Sequence, residues 1–291
     1  MSASAGGKRT ALVTGANSGL GKAIAIALAA EGLRVGLVVR DRARGAAALA
    51  EIRASTGNDD LHLFTADLAD QLTIRALAQA VLDRFDRLDL LINNAGTAFA
   101  ERKLSPQGIE CALAVNHLGP FLLTMLLLDR LKASAPARIV NVGTRIDTAM
   151  DFDDLNWERR PYRMMKGYGQ SKLGNLHFTF ELARRLQGSG VTVNCVFPGV
   201  FRSNLGGTDG AQGLFWKLLI RLGGWAIPSP ERAARRVLYL ADAPELANVS
   251  GQYFGDRKPL TAPAQARDAG ANLRLWQISE ALTGGAGTAG S

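Results

Sequence analysis

Cysteine is scarce in this chain. Cys111 and Cys195 are the two in 291 residues, and their separation has no metal-type spacing. A reducing cytoplasm is the simple reading of such usage. Aromatic residues are also few, at 7%. The lysines and arginines behind the net charge of +8 are scattered, with no base-reading motif among them. Nucleic acid is therefore excluded as the expected partner, and a basic surface that draws in a small anionic ligand is the simpler account. Met1 to Gly7 is small and polar, without the apolar core of a signal peptide. The longest greasy run, Leu118 to Leu128, is broken by Gly119, Pro120 and Thr124. It falls short of the roughly 20 residues of a membrane span and reads as a core or subunit-interface helix.

What is present is ordinary for a soluble globular chain: 47% hydrophobic and 21% charged residues. Apolar, strand-like runs alternate with helix-like ones. The strands fall at Arg9 to Val13, Arg34 to Val39, Leu61 to Thr65, Leu88 to Ile92, Arg138 to Val142 and Val191 to Phe197. Helical segments fall at Lys22 to Glu31, Ala43 to Ala54, Gln71 to Phe85, Gln107 to Lys132, Gly167 to Leu186 and Glu231 to Ala241. Short, continuously apolar strands separated by helices predict a parallel sheet buried on both faces. The expected fold is α/β: a doubly wound, Rossmann-type, mostly parallel seven-stranded sheet with helices on both sides. No linker divides it. Residues 9–283 read as one domain after a flexible stretch, 1–8, and before a disordered tail, 284–291. Loops near 144–166 and 201–229 are the expected substrate side.

Thr14-Gly15-Ala16-Asn17-Ser18-Gly19-Leu20-Gly21 follows the first strand and opens the first helix. A phosphate seat needs residues without side chains there, so that backbone N–H groups and the helix N-terminus can approach the charge. About twenty residues on, an Asp or Glu would accept from a ribose 2′-hydroxyl. Here Arg40 ends the second strand, and a guanidinium that can fork onto a 2′-phosphate favours NADP(H) over NAD(H). Asp41 would take that position if the strand ran one residue longer. Asp67 and Leu68 follow the third strand, with Asp67 placed either for an adenine amino group or as an N-cap. Asn93-Asn94-Ala95-Gly96 ends the fourth strand in a turn whose residues suit positive φ.

Tyr168 and Lys172 stand four apart in a predicted helix and so share one face. A nearby lysine cation would lower the pKa of the phenol, which could then exchange a proton with a carbonyl or hydroxyl oxygen. Lys172 could also bond the ribose next to the nicotinamide.

With these motifs in order, the chain resembles the short-chain dehydrogenase/reductase family of the single-domain type, from Arg9 to about Phe254. Gly15/Gly19/Gly21, Asn93 to Gly96, Tyr168/Lys172 and Pro198-Gly199 carry the likeness. Val115-Asn116-His117-Leu118-Gly119 and Glu181 to Leu186 are similar to retinol-dehydrogenase-like and protochlorophyllide-reductase-like members. The resemblance implies that Tyr168 is the acid-base, that Lys172 is its partner, and that Asn116 holds a water behind the lysine. It places Asn94, Ala95 and Gly96 on the cofactor side and Pro198, Gly199 and Val200 beside the nicotinamide, with Ser203 meeting its carboxamide. A homodimer or homotetramer is implied as well, through the helices 107–132 and 167–186. One position departs. The family's Val-Ser-Ser run is Val142-Gly143-Thr144 here, so Thr144 is the expected substitute for the substrate-orienting serine.

The substrate loops are greasy. Leu214 to Trp225 could be a lid over a lipophilic substrate, a packing segment or a membrane-surface helix. Phe152, Trp157, Tyr162, Met164 and Met165 add apolar surface in the other loop. The reading is an NADP(H)-dependent oxidoreductase acting on a small, bulky apolar carbonyl or alcohol. A cofactor-binding regulatory protein with little turnover, suggested by Gly143, and a C=C reductase of the same family are its alternatives.

Overall fold

The computed structural model describes residues 7–145, 148–200 and 228–284. Its elements in chain order are β1 (Thr10–Thr14), α1 (Gly19–Ala30), β2 (Arg34–Val39), α2 (Arg42–Thr56), β3 (Leu61–Thr65), α3 (Gln71–Arg84), β4 (Leu90–Asn93), α4 (Cys111–Ala133), β5 (Ala137–Val142), α5 (Met164–Arg185), β6 (Val191–Phe197), α6 (Pro230–Asp242), β7 (Tyr253–Gly255), β8 (Lys258–Pro259), α7 (Ala264–Arg267) and α8 (Ala269–Leu282). Among the described residues the sheet has eight strands in the order β3-β2-β1-β4-β5-β6-β7-β8. The first seven run parallel, and the order reverses between β1 and β4. That is the expected doubly wound fold with one strand more than the seven predicted. The addition, β8, is a two-residue antiparallel edge strand turned back from β7 by Asp256 and Arg257. So short a strand leaves no periodicity to read.

Both faces of the sheet are buried because alternate residues point opposite ways. Val13, Ile92 and Val140 face α1 and α6, whereas Leu12, Leu91 and Ile139 face α3, α4 and α5. The continuous helix α4 spans 23 residues and contains an 18-residue stretch of mean hydropathy 1.8, long and apolar enough to cross a membrane by length and composition. Gly119 and Pro120 do not break it. Of that stretch 78% is buried inside the protein, which accounts for its greasiness. Its start is Cys111, four residues later than expected, since the buried Glu110 caps it by accepting from the Ala112 and Leu113 N–H groups.

The helix carrying Tyr168 and Lys172 is gripped from outside by α8, whose Asn272, Leu275, Trp276 and Ser279 share one buried face. Trp276 meets the Phe121 ring at 5.1 Å and stacks on Phe178 at 6.1 Å. His117 and His177 bond to Ser279 Oγ and Asn272 Oδ1 at 2.8 and 2.6 Å. Burial holds His117 neutral, its pKa pushed down to about 3.

The loop after β5 is pinned to the protein by its own side chains. Met150, Leu155 and Trp157 are buried, and Arg160 lies 3.8 Å over the Trp157 ring. Tyr162 donates to Glu110 at 3.1 Å, and Phe152 packs edge-on against His177. Phe152, Trp157 and Tyr162 therefore belong to internal packing rather than to a substrate wall, whereas Met165 is exposed. Of the other loop, Leu214 to Trp225 and Ser203 lie outside the described residues.

Trp276→Ala should lower unfolding stability by about 3 kcal/mol or more, as large-to-small changes at buried aromatics do, with Trp276→Phe recovering most of it. Denaturant titration reads this, and a loss below about 1 kcal/mol would mean that α8 does not brace α5.

Candidate active site

The turn between β1 and α1 has the form that a phosphate requires. Gly15 and Gly19 sit at φ of 70° and 52°, which L side chains rarely adopt. Gly21 has no such φ; its constraint is space, because a Cβ there would overlap the Gly15 carbonyl oxygen and meet Asn94 Nδ2. Ser18 is the N-cap of α1, but its hydroxyl makes no cap bond, and the first turn of α1 holds no acidic residue. The helix N-terminus thus presents its N–H groups and positive dipole end beside exposed Ser18 and half-buried Asn17. Leu20 is buried and anchors the turn in the core.

At the far end of the groove, β2 stops at Val39 and Arg40 is exposed. Asp41 is the N-cap of α2, accepting from the Ala43 and Arg44 N–H groups at 2.9 and 3.1 Å. That commitment removes it from the discriminating position, and among the described residues Arg40 makes no ion pair. Asp67 is not the cap of α3, contrary to one reading of the sequence. It accepts from the Ala69 N–H at 2.9 Å in a local turn, and Asp70 caps the helix instead. Leu68 is buried, with its carbonyl tight against Gly119.

The turn after β4 also differs from expectation. Neither Asn93, Asn94 nor Gly96 has positive φ. Asn94 is held by Thr14: its N–H donates to Thr14 Oγ1 at 3.0 Å and its Nδ2 to Thr14 O at 2.8 Å, while the Ala95 N–H also reaches Thr14 Oγ1. Gly96 is required by crowding, since an added Cβ would lie 3.0 Å from Lys172 Nζ and 3.3 Å from Asn116 Oδ1. Asn116 sits in a π-helical turn, Ala114–Leu118, inside α4, a distortion that often marks functional sites. Its side chain clasps the Thr97 backbone through Nδ2 to O and N to Oδ1, both at 2.8 Å, and donates to Ser171 Oγ at 2.9 Å.

Tyr168, Thr144 and Lys172 come together at the end of β5. Lys172 Nζ donates to the Val142 carbonyl at 2.8 Å. The Thr144 side chain lies beside the Tyr168 hydroxyl, and Tyr253 donates to the Thr144 carbonyl at 2.9 Å. Burial pushes the Tyr168 phenol up to about 12, opposed by the Thr144 side chain. The phenol is thus raised by burial, not lowered as the i, i+4 spacing predicts, while the Lys172 ammonium is turned to Val142 and burial pulls its own pKa down to about 8. Its neighbour Cys195 is raised to about 12 and is neutral near pH 7.

Cys195 also explains Gly143. A Cβ at 143 would come 2.7 Å from its sulfur, so the thiol fills the space that a serine in the family's run would need. Pro198 is buried at the end of β6, Gly199 turns the chain at φ 89°, and Val200 is exposed. The structure thus gathers Gly15 to Gly21, Asn94 to Gly96, Asn116, Thr144, Tyr168, Lys172 and Pro198 to Val200 along the carboxyl ends of the parallel strands, where such sheets bind ligands. Sequence reasoning missed Thr14, Cys195 and Tyr253. They act as braces, and strand-end residues of those types carry no distinguishing signal.

This fold and site define a member of the short-chain dehydrogenases, and the chain belongs to that family: residues 9–212 match the model described as short chain dehydrogenase. It is an oxidoreductase of retinol-dehydrogenase-like type. It is 44% identical over 288 residues to human retinol dehydrogenase 13, covering 95% of this chain and 85% of that protein. An uncharacterized protein from Mycobacterium paratuberculosis superposes at TM-score 0.76 and 35% identity, over 95% of this chain and 94% of that one. A short-chain dehydrogenase from Burkholderia cenocepacia solved in complex with NADP does so at TM-score 0.66 and 30% identity, over 85% of this chain and 95% of that one.

Because the folded pKa of Lys172 lies below its usual 10.5, the folded chain binds fewer protons than the unfolded one between about 8 and 10.5. Stability therefore gains a contribution as pH rises through that window, up to ~3 kcal/mol for a full shift of this size. Against Lys172→Met, the wild type should gain relative unfolding stability from about pH 8 to pH 10.5. Denaturant titrations across that range check it, and a constant difference would count against a buried ammonium.

Proposed function

We propose that the chain is an NADP(H)-dependent oxidoreductase that transfers a hydride between the cofactor and the carbonyl or alcohol carbon of a small, bulky apolar substrate. The observation that carries this reading is the gathering of Tyr168, the Thr144 side chain and the buried ammonium of Lys172 at the end of β5, where Lys172 Nζ donates to the Val142 carbonyl at 2.8 Å. The nicotinamide, when bound, supplies or accepts the hydride. Gly15, Asn17, Ser18, Gly19, Leu20 and Gly21 would hold its diphosphate, Asp67 and Leu68 its adenine side, and Asn94 to Gly96 and Pro198 to Val200 its nicotinamide half. Arg40 would bond the 2′-phosphate, an assignment supported by its exposure and by the use of Asp41 as a helix cap. The NADP complex of the Burkholderia protein is consistent with that preference.

In the reductive direction Tyr168 gives its proton to the substrate oxygen as the charge develops, and Thr144 donates a second hydrogen bond there. A phenol with a pKa near 12 is fully protonated at neutral pH, so the acid is always armed. The departure at Gly143 does not argue for a silent binding protein, because Cys195 accounts for it while Thr144 keeps a hydroxyl-bearing side chain beside Tyr168. The relationship to retinol dehydrogenase 13 supports a lipophilic alcohol or aldehyde as the substrate class.

Two outcomes are expected. Wild type binds NADPH more tightly than NADH, and Arg40→Ala loses about tenfold in NADPH affinity with little change for NADH; equal wild-type affinities would overturn the cofactor assignment. With NADPH, reduction of apolar aldehydes stays flat from about pH 6 to pH 9. With NADP, alcohol oxidation climbs over the same range, because it needs the phenolate. Steady-state rates read both slopes, and an oxidation rate that falls with rising pH contradicts Tyr168 as the base.

A further inference from the structure

We propose that Arg236 and Asp256 form a positioning clamp on the Pro198–Gly199 turn, and through it on the nicotinamide half of the cofactor site. This rests on the reading above that the turn faces the nicotinamide.

Arg236 lies on α6 with its side chain 23% exposed. Its Nη1 donates to the Pro198 carbonyl at 2.9 Å and its Nε to Asp256 Oδ1 at 3.1 Å. The Pro198 carbonyl lies beyond the last β6–β7 pair, Phe197 with Gly255, so the sheet does not fix it. The guanidinium also packs against Gly199 so closely that any Cβ there would overlap Nη1. Gly199 suits the turn through its φ of 89°, and it leaves room for the guanidinium to lie where it does. Since α6 packs on α1 through Ala233, Ala234 and Val237, the clamp ties the nicotinamide turn to the helix that opens at the phosphate seat.

Asp256 supplies the other half of the clamp. It and Arg257 form the two-residue turn between β7 and β8, at φ of 50° and 65°. Asp is a residue such a turn accepts at its first position, and the turn holds the largely exposed Asp256 carboxylate 3.1 Å from Arg236 Nε. Among the described residues Arg232, Arg235 and Arg257 line the same cleft of about 320 Å³, and Asp256 is the carboxylate that lines it with them. Without it, like-charge repulsion would turn Arg236 away from Pro198.

The test compares binding of NADPH with binding of 2′-phospho-ADP-ribose, which lacks the nicotinamide. Asp256→Gly removes the carboxylate at a left-handed position that glycine adopts freely, so its melting temperature should stay close to that of the wild type. The clamp requires Asp256→Gly and Arg236→Met to weaken NADPH about tenfold while leaving 2′-phospho-ADP-ribose unchanged, with Arg236→Lys no better than Arg236→Met because an ammonium cannot fork onto both partners. Unchanged NADPH affinity in the variants overturns the clamp alone. Equal weakening of both ligands overturns it too, since that is general damage. A wild type that binds neither NADPH nor NADH overturns both the clamp and the enzymatic reading.

Discussion

The end of β5 holds the candidate site together. Val142 accepts from the lysine ammonium, Gly143 makes room for the Cys195 sulfur, and the Thr144 side chain lies beside the phenol while its carbonyl takes the Tyr253 hydroxyl. Three consecutive residues thus connect α5, β6 and β7 at one point. A rigid strand end is a better mount than a loop for groups that must meet a reacting carbon within a fraction of an ångström.

That arrangement opposes stability. An ammonium and a phenol are buried together, and burial disfavours the charged form of each. The chain offsets this by bracing α5 from outside with the aromatic cluster of Phe121, Phe178 and Trp276 and with two neutral histidines. Expensive groups in the site and redundant packing behind it are the physical pattern of a protein whose chemistry depends on preorganisation.

Most of the architecture was legible because a buried parallel sheet leaves continuous apolar runs between amphipathic helices. Val191–Phe197 and Leu61–Thr65 coincide with their sequence-predicted bounds. Arg42–Thr56 needed only small extension, given the Asp41 cap and Gly57 at the left-handed exit. Residues whose role is spacing were harder. Gly21 and Gly96 look like turn glycines in sequence, yet neither has positive φ; a Cβ would overlap the Gly15 carbonyl at Gly21 and crowd Lys172 Nζ at Gly96. The apolar loop residues misled in the opposite direction. Trp157 and Phe152 suggested a substrate wall, but periodicity says nothing about a loop folded over its own side chains. The shared helix of Tyr168 and Lys172 was legible in the sequence, whereas the direction of the ammonium was not, because it depends on a carbonyl, Val142 O, that no sequence pattern marks.

The hydroxyl at position 144 is where the departure from the family run bears most directly on chemistry. The pH profile of alcohol oxidation by the NADP-loaded enzyme reports the ionisation of Tyr168, and Thr144→Val removes the hydroxyl while keeping the shape. If the Thr144 bond stabilises the phenolate, the ionisation should move up by about one pH unit in Thr144→Val and stay in place in Thr144→Ser. The same ionisation in all three proteins would contradict Thr144 as the partner of the phenol.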